Sequence, residues 1–189
     1  MEGALLLIRG LAKMPADRPV EVRVLGRGPL ERCCQRLAER LGVAARMQWL
    51  GWLPFREALA QYDWADVFAF TSLRDTSGNV VLESLAAGVP VVCLDHQGVH
   101  DMVTPGCGIR IPVTTPAEVV ERLAEALTRL ATDRDLRAEL GRGAVERARH
   151  YLWDVQGERM LAVYRRVLGD GFCWQPREAG DRTLCGANR

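Results

Sequence analysis

Lysine is almost absent from this sequence: Lys13 is the single lysine among 25 basic residues, and all the others are arginines. Acidic residues number 24, so the formal net charge is only +1. Proteins that bind nucleic acid usually carry an excess of positive charge, which this chain lacks. We therefore expect no nucleic-acid partner. Because arginine is the default cation here, an isolated arginine is weak evidence for a phosphate site.

Long apolar runs are also missing, since the sequence has no stretch of about 18 apolar residues that would predict a membrane-spanning helix. The N-terminus does not carry the pattern of a secretory signal peptide. We therefore expect no transmembrane segment and a cytoplasmic location, with a peripheral position at the inner membrane surface as the alternative.

The six cysteines form no Cys-x-x-Cys pair and no Cys/His spacing typical of zinc ligands. This absence argues against a structural metal site and favours free thiols in a reducing compartment. Cys93 lies inside an apolar run, residues 89–94, where a thiol behaves as a small buried hydrophobic group.

The length and composition indicate one globular domain, because the chain has 189 residues, of which 48% are apolar and 26% charged. We place this domain at residues 1–168. Residues 169–189 are rich in glycine, arginine and aspartate without hydrophobic periodicity, so we predict a loose tail there.

Strand-like and helix-like patterns alternate along the domain. Strands are predicted at residues 20–25, 47–50, 66–71, 90–94 and 108–112. Helices are predicted at residues 3–14, 29–41, 54–61, 79–87, 116–131, 133–150 and 154–168. This order predicts an α/β fold, a Rossmann-like parallel sheet with helices on both faces. Ligands of such sheets bind outside the carboxyl ends of the strands, so the loops after the first four strands form the candidate site.

The first of these loops, GRGPLE at residues 26–31, raises the possibility of a dinucleotide site. The full fingerprint needs a third glycine, but Glu31 stands at that position. It also needs an acidic residue after the second strand, and that strand is followed by Gly51, Trp52 and Leu53 instead. We therefore expect Gly26 to form a tight turn that lines a pocket, without NAD(P) binding.

The most informative stretch is SLRDTSGNVVLESLAAGVPVV, residues 72–92. Gly78 would let a ligand approach the backbone, and the helix that starts near Asn79 would offer N–H groups to a phosphate. Glu83 lies in the second helical turn, where its carboxylate can accept hydrogen bonds from sugar hydroxyls, and Asp75 can reach the same space from the loop. The alternative is that Asp75 is an ordinary loop residue and Glu83 an ion-pair partner.

An acid, seven further residues, a glutamate and then SLAAGVPVV resemble the donor-binding signature of retaining GT-B glycosyltransferases of family four, also described as glycosyl transferases group 1. The resemblance covers residues 3–168. It extends to four more segments: VRVLGRGPL at 22–30, WLGWL at 49–53, YDWADVF at 62–68 and QGVHDMV at 97–103. It implies that the chain corresponds to the C-terminal, nucleotide-sugar-binding half of a GT-B fold.

The resemblance also implies roles for individual residues. Glu83 would hold the nucleotide ribose and Asp75 would contact the transferred sugar, which makes them the candidate catalytic pair. The candidate donor-binding set, shared with Glu83, is Gly26, Gly51, Trp52, Leu53, Ser77, Gly78, Asn79 and Val80. The backbone N–H groups of Gly78, Asn79 and Val80 would bind the diphosphate, and residues 51–53 would lie near the base. The expected partners are a nucleotide-sugar donor and an acceptor of unknown class, with no metal and no further cofactor.

The sequence departs from the family pattern at three points. Asp75 stands where the family usually has glutamate, Glu2 stands where it has a lysine, and the acceptor-binding half and the opening strand with its arginine are missing. We therefore expect a donor-binding half that is inactive alone and completed by an N-terminal half. Two alternatives remain open: a non-catalytic or degenerate sugar-nucleotide-binding module, and a sugar-nucleotide epimerase of the same fold.

Overall fold

The computed structural model describes residues 2–17, 20–74 and 78–169. The helices are α1 Glu2–Lys13, α2 Glu31–Arg40, α3 Phe55–Trp64, α4 Asn79–Ala86, α5 Gln97–Met102, α6 Pro116–Thr132, α7 Arg134–Arg149 and α8 Trp153–Leu168. The strands are β1 Val22–Leu25, β2 Met47–Gly51, β3 Phe68–Phe70, β4 Val91–Asp95 and β5 Gly108–Pro112. The predicted α/β class is confirmed.

All strand pairs are parallel, but they form two sheets, whereas the sequence predicted one. β1 pairs with β2, with Val22 opposite Met47, and a second sheet has the order β3-β4-β5. In that sheet Val91 of β4 lies opposite both Phe68 and Gly108. The sheet is interrupted because no strand within the described residues pairs with the second edge of β1 or of β3.

The core is centred on β4, whose side chains alternate between two hydrophobic clusters. Val91 and Cys93 pack in one cluster with residues of α4 and α7, while Val92 and Leu94 pack in another with residues of α6. All four side chains are at most 2% exposed. Burying each of these valine and leucine side chains stabilises the fold by about 1.5–3 kcal/mol. The sequence prediction of a strand covered on both faces is therefore correct.

Local signals explain where the long helices begin. The Thr115 side chain accepts a hydrogen bond from the Glu118 N–H at the start of α6, where Pro116 occupies the first turn. The Asp133 carboxylate accepts one from the Leu136 N–H at 2.9 Å and starts α7. The sequence missed α5 and the short 3₁₀ helix Ala44–Arg46 because segments of six and three residues are too short to show periodicity.

The chain divides into two compact units, Met1–Tyr151 and Leu152–Arg189. The described part of the second unit consists mainly of α8. The tail predicted at 169–189 falls outside the described residues except for Gly169, so that expectation stays a prediction. Across the part of the chain that the structure describes, no helix is both long and apolar enough to cross a membrane.

Candidate functional site

Helix α4 begins abruptly at Gly78, which caps it in the left-handed conformation with φ 54° and ψ 29°. A Cβ atom at this position would lie 3.1 Å from the Met102 sulfur of α5. The Gly78 carbonyl accepts a hydrogen bond from the Val81 N–H at 2.7 Å. The first N–H groups of an α-helix have no acceptor within the helix and carry the positive end of its dipole. The start of α4 therefore has the geometry of a phosphate-binding helix terminus.

Glu83 lies in the second turn of α4, half-buried beneath Tyr62 of α3. The Tyr62 hydroxyl donates to the Val80 carbonyl at 2.9 Å and lies 3.4 Å from Glu83 Oε2. Burial, and then the neighbouring Glu83 charge, raise the pKa of Tyr62 well above its ordinary value. The phenol therefore stays protonated and remains a donor that can hold the glutamate side chain in place.

A second group of predicted residues lies at the carboxyl ends of β1 and β2. The Gly26 N–H donates to the Gly51 carbonyl at 2.7 Å, which joins the two turns. Gly51 has φ 67°, and a Cβ there would lie 3.0 Å from Arg27 Nε. Trp52 is 73% exposed and so presents its indole to solvent. Leu53 follows it and is partly buried.

Arg27 is a residue of this group that sequence reasoning missed. Its guanidinium lies against Gly51, and its side chain is exposed on the glycine turn. The abundance of arginine concealed it, because almost every cation of the chain is of this type. The sequence signal that could have identified Arg27 as a candidate site residue is its position between two glycines directly after a strand.

Asp75 and Ser77 lie outside the described residues, between Arg74 and Gly78. Their predicted roles at the transferred sugar and the donor therefore stay predictions.

The loop after β4 carries a polar network that the sequence did not reveal. His100 Nδ1 lies 2.7 Å from the Asp95 carboxylate, and the Arg110 guanidinium donates to the His100 carbonyl at 2.9 Å. His96 Nε2 contacts the Ser72 carbonyl at 2.9 Å and thereby joins the loops that follow β3 and β4. His96 is half-buried, and its contact with the Ser72 carbonyl holds the loop that leads towards α4.

The described part of the chain contains no group of three His, Cys, Asp or Glu side chains that could hold a metal ion. The described cysteines are free thiols: Cys33, Cys34, Cys93 and Cys107. Burial raises the pKa of Cys93 to about 12, as expected for a thiol that serves as a core residue.

A family model described as glycosyl transferases group 1 matches residues 1–147. A D-inositol 3-phosphate glycosyltransferase from Corynebacterium urealyticum is 33% identical over 80% of this chain and 36% of its own length. A phosphatidyl-myo-inositol mannosyltransferase from Mycolicibacterium smegmatis is 30% identical over 96% of this chain and 46% of its own length. The chain therefore spans less than half the length of these curated relatives.

Solved structures share the fold. A sucrose-phosphate synthase from Thermosynechococcus elongatus superposes with a TM-score of 0.72 at 22% identity, covering 88% of this chain and 42% of that structure. Anabaena HepE in complex with UDP-glucose gives a TM-score of 0.70 at 24% identity, covering 87% and 45%. At this level of identity the structural likeness establishes the fold alone.

Proposed function

Because the chain belongs to the family described as glycosyl transferases group 1, we propose that it is the donor-binding, C-terminal half of a retaining glycosyltransferase. In this proposal a nucleotide-diphosphate sugar binds at the carboxyl ends of β1 to β4. An acceptor hydroxyl then takes the sugar from the donor.

One observation carries the proposal: a carboxylate and a phosphate-binding helix terminus lie on the same short helix. Glu83 is half-buried one turn after the start of α4, and Tyr62 contacts both that carboxylate and the Val80 carbonyl. A ribose carries adjacent hydroxyls that donate to a carboxylate, and the attached diphosphate needs N–H donors a few ångströms away. Both recognition elements of a nucleoside diphosphate are therefore fixed relative to each other.

The proposed roles follow from this arrangement. Glu83 accepts hydrogen bonds from the ribose, and the N–H groups of Asn79 and Val80 bind the diphosphate. Asp75 contacts the transferred sugar, and Trp52 lies near the base. The acceptor oxygen forms a bond to the anomeric carbon as the carbon–oxygen bond to the diphosphate breaks. The acceptor hydroxyl passes its proton to the departing diphosphate oxygen, and the nucleoside diphosphate leaves with the bonding electron pair.

The helix terminus would suit this step because its N–H groups would face the diphosphate oxygen that becomes negative. We propose that donor binding needs no metal ion, because the first N–H groups and the positive end of the α4 dipole would bind the charge of the diphosphate. Ser77, Gly26 and Gly51 complete the proposed donor site. The proposed setting is the cytoplasm.

The relatives favour a transferase over the epimerase and the degenerate module. Both curated relatives described above carry glycosyl- or mannosyltransferase names. Glu2 at the position of the family lysine is the feature that favours loss of activity. We therefore propose donor binding by this chain and sugar transfer only by a protein that also contains the acceptor-binding half.

Titration calorimetry with UDP-, GDP- and ADP-sugars tests the proposal directly. One of these donors should bind, and an excess of EDTA should leave its affinity unchanged. Glu83→Gln should weaken nucleotide binding by about 1–3 kcal/mol, the range for a charge-assisted hydrogen bond. Asp75→Ala should weaken binding of the nucleotide sugar and leave the free nucleotide nearly unaffected.

The matched control is Glu139→Gln, which removes the same charge from an exposed position on α7 and should leave every affinity unchanged. Thermal melts of each variant separate a loss of binding from a loss of folding. Equal losses for nucleotide and nucleotide sugar in both site variants would contradict the division of roles. No binding of any donor by the folded chain would contradict the proposal itself.

A further inference from the structure

The Arg27 side chain extends from the turn between β1 and α2 to the turn that follows β2. Its Nε and Nη2 atoms lie 3.0 Å and 3.3 Å from the position that a Cβ atom on Gly51 would occupy, whereas Cζ lies 3.6 Å from it. The guanidinium edge that carries these two nitrogens therefore faces Gly51. Two N–H donors on one planar edge form the fork with which arginine binds a pair of adjacent acceptors.

Gly51 leaves room for this edge. It has a positive φ of 67°, which favours glycine, and a side chain at this position would meet the guanidinium. The Gly26 N–H donates to the Gly51 carbonyl at 2.7 Å and so holds the two turns together. Among the residues that the structure describes, none forms a hydrogen bond or an ion pair with the exposed Arg27 side chain. Its N–H donors are therefore available to a ligand.

Trp52 provides an aromatic surface directly after Gly51, and its side chain is largely exposed. Aromatic side chains stack on nucleobases, and this stacking differs little from base to base because every base has a π-face. Trp52 would therefore add affinity for any base. Arg27 differs from it, since hydrogen bonds from a fixed fork depend on which acceptors the base presents.

Helix α3 connects these turns with the proposed ribose site. It begins at Phe55, shortly after Gly51, and its Tyr62 contacts Glu83. Phe55 and Tyr62 lie about 10 Å apart along the helix axis. That separation is comparable with the length of a nucleoside. A donor with its ribose at Glu83 can therefore place its base beside the two turns.

The bases of UDP-, GDP- and ADP-sugars differ in the acceptors that they offer to an arginine fork. Guanine presents two adjacent acceptors, N7 and O6, on one edge. Adenine has an amino donor beside N7, and the two carbonyl groups of uracil are separated by an N–H donor. The two donors of a guanidinium edge can therefore both be satisfied by guanine, whereas adenine and uracil each satisfy one of them.

We propose that Arg27 determines the base of the donor and that this base is guanine. In the complex, a rotation of the exposed side chain turns its edge from Gly51 to the base, Nε–H and Nη2–H donate to N7 and O6, and the ring stacks on Trp52. The inference rests on the proposed function, because it assigns the base within the proposed donor site. Arg27 is thus a specificity-determining residue that does not contact the reacting atoms.

Titration calorimetry of the full chain with free nucleoside diphosphates tests this assignment. GDP should bind more tightly than UDP and ADP by roughly 5–150-fold, the range for one bidentate contact between arginine and a base. Inosine diphosphate keeps both N7 and O6 and should bind like GDP. In 7-deazaguanosine diphosphate a carbon replaces N7, so its affinity should be lower than that of GDP by about 5-fold, the effect of one lost hydrogen bond.

Variants identify the residue that reads the base. Arg27→Gln should reduce the affinity for GDP to that for UDP, and it should bind GDP and the 7-deaza analogue equally. Arg27→Lys keeps the charge without the fork and should lose the same selectivity. Trp52→Ala should weaken all the diphosphates alike. Arg40→Gln is the matched control, because it removes the same charge from an exposed position at the end of α2 and should leave every affinity unchanged.

Three results would overturn the inference. One is equal weakening of GDP, UDP and ADP by Arg27→Gln, which would assign Arg27 to the shared diphosphate. The others are tighter binding of UDP or ADP than of GDP, and equal binding of GDP and its 7-deaza analogue by the unmodified chain. The comparison of analogues needs no variant, so it decides the matter even if thermal melts show that Arg27→Gln does not fold.

The same titrations separate this inference from the proposed function. If Glu83→Gln weakens every diphosphate while Arg27→Gln leaves the preference among bases unchanged, the assignment of the base is wrong and the donor site stands. If the folded chain binds no nucleoside diphosphate, both proposals are wrong.

Discussion

The hydroxyl of Tyr62 on α3 reaches the first turns of α4, where it donates to the Val80 carbonyl at 2.9 Å and lies 3.4 Å from Glu83 Oε2. One side chain therefore fixes both the backbone at the start of α4 and the carboxylate that follows it. Its ring is held in turn by Phe68, whose centroid is 5.6 Å away. Tyr62 is a positioning residue for the proposed donor site.

Tyr62→Phe should weaken nucleotide binding about 5-fold, because it removes a hydrogen bond worth about 1 kcal/mol while keeping the packing of the ring. The carboxylate of Glu83 would lose the hydroxyl that lies 3.4 Å from its Oε2, and the Glu83 side chain would therefore sample more rotamers. Calorimetry with the donor identified for the unmodified chain measures the change.

Tyr151→Phe is the matched control, since the Tyr151 hydroxyl also donates to a backbone carbonyl, that of Asp101, at 2.9 Å. Both variants should lower the free energy of unfolding by a similar amount, but only Tyr62→Phe should alter nucleotide affinity. Equal affinities in the two variants would show that Tyr62 acts on stability alone.

Most of the fold could be predicted because its signals are local. The apolar alternation of β1, the continuous apolar run of β4 and the periodicity of α6 each determine their own element. The split of the sheet could not be predicted from the strand patterns. These patterns indicate where each strand lies, but they do not indicate which strands pair. Helix α5 was missed because it has only six residues and contains Gly98. It also starts at Gln97, whose positive φ of 54° cannot be predicted from the residue type.

The positions of the candidate site residues were predictable where local backbone geometry defines them. Gly78, Asn79 and Glu83 lie on the helix start that their spacing indicated, and Gly26 contacts Gly51 across two strands. Contacts made by side chains from distant elements were not predictable. The positions of Tyr62 over Glu83 and of Arg27 over Gly51 depend on how α3 and the glycine turn pack, which a single sequence does not encode locally.

Cys93 makes the stability of the fold depend on alkaline pH. Its pKa rises from 9.0 to about 12, first because of burial and then because of the nearby Asp95 charge. Above pH 9 the unfolded chain releases this proton while the folded chain keeps it, so the free energy of unfolding falls as pH rises from 9 towards 12. The expected slope from this group is up to about 1.4 kcal/mol per pH unit.

Urea unfolding at a series of pH values between 8 and roughly 10 measures this slope. Cys93→Ala should be less stable than the unmodified chain at pH 8 but lose less stability between pH 9 and about 10. Cys33→Ala is the control, because Cys33 is exposed and its removal should change the slope far less than Cys93→Ala does. Identical slopes in all three proteins would contradict the assignment.

Gly78 is the position where conformation and space both exclude a side chain. Gly78→Ala should lower the free energy of unfolding by about 1–2 kcal/mol for the left-handed backbone. The new methyl group, 3.1 Å from the Met102 sulfur, should add a further cost by displacing α5. Gly42→Ala separates the two effects, since Gly42 also has a positive φ of 71° but open space around its Cβ position. We therefore expect Gly78→Ala to be the more destabilising variant in urea unfolding and the only one that weakens nucleotide binding. Equal destabilisation would show that Met102 yields freely, and unchanged binding in Gly78→Ala would separate the cap of α4 from the donor site.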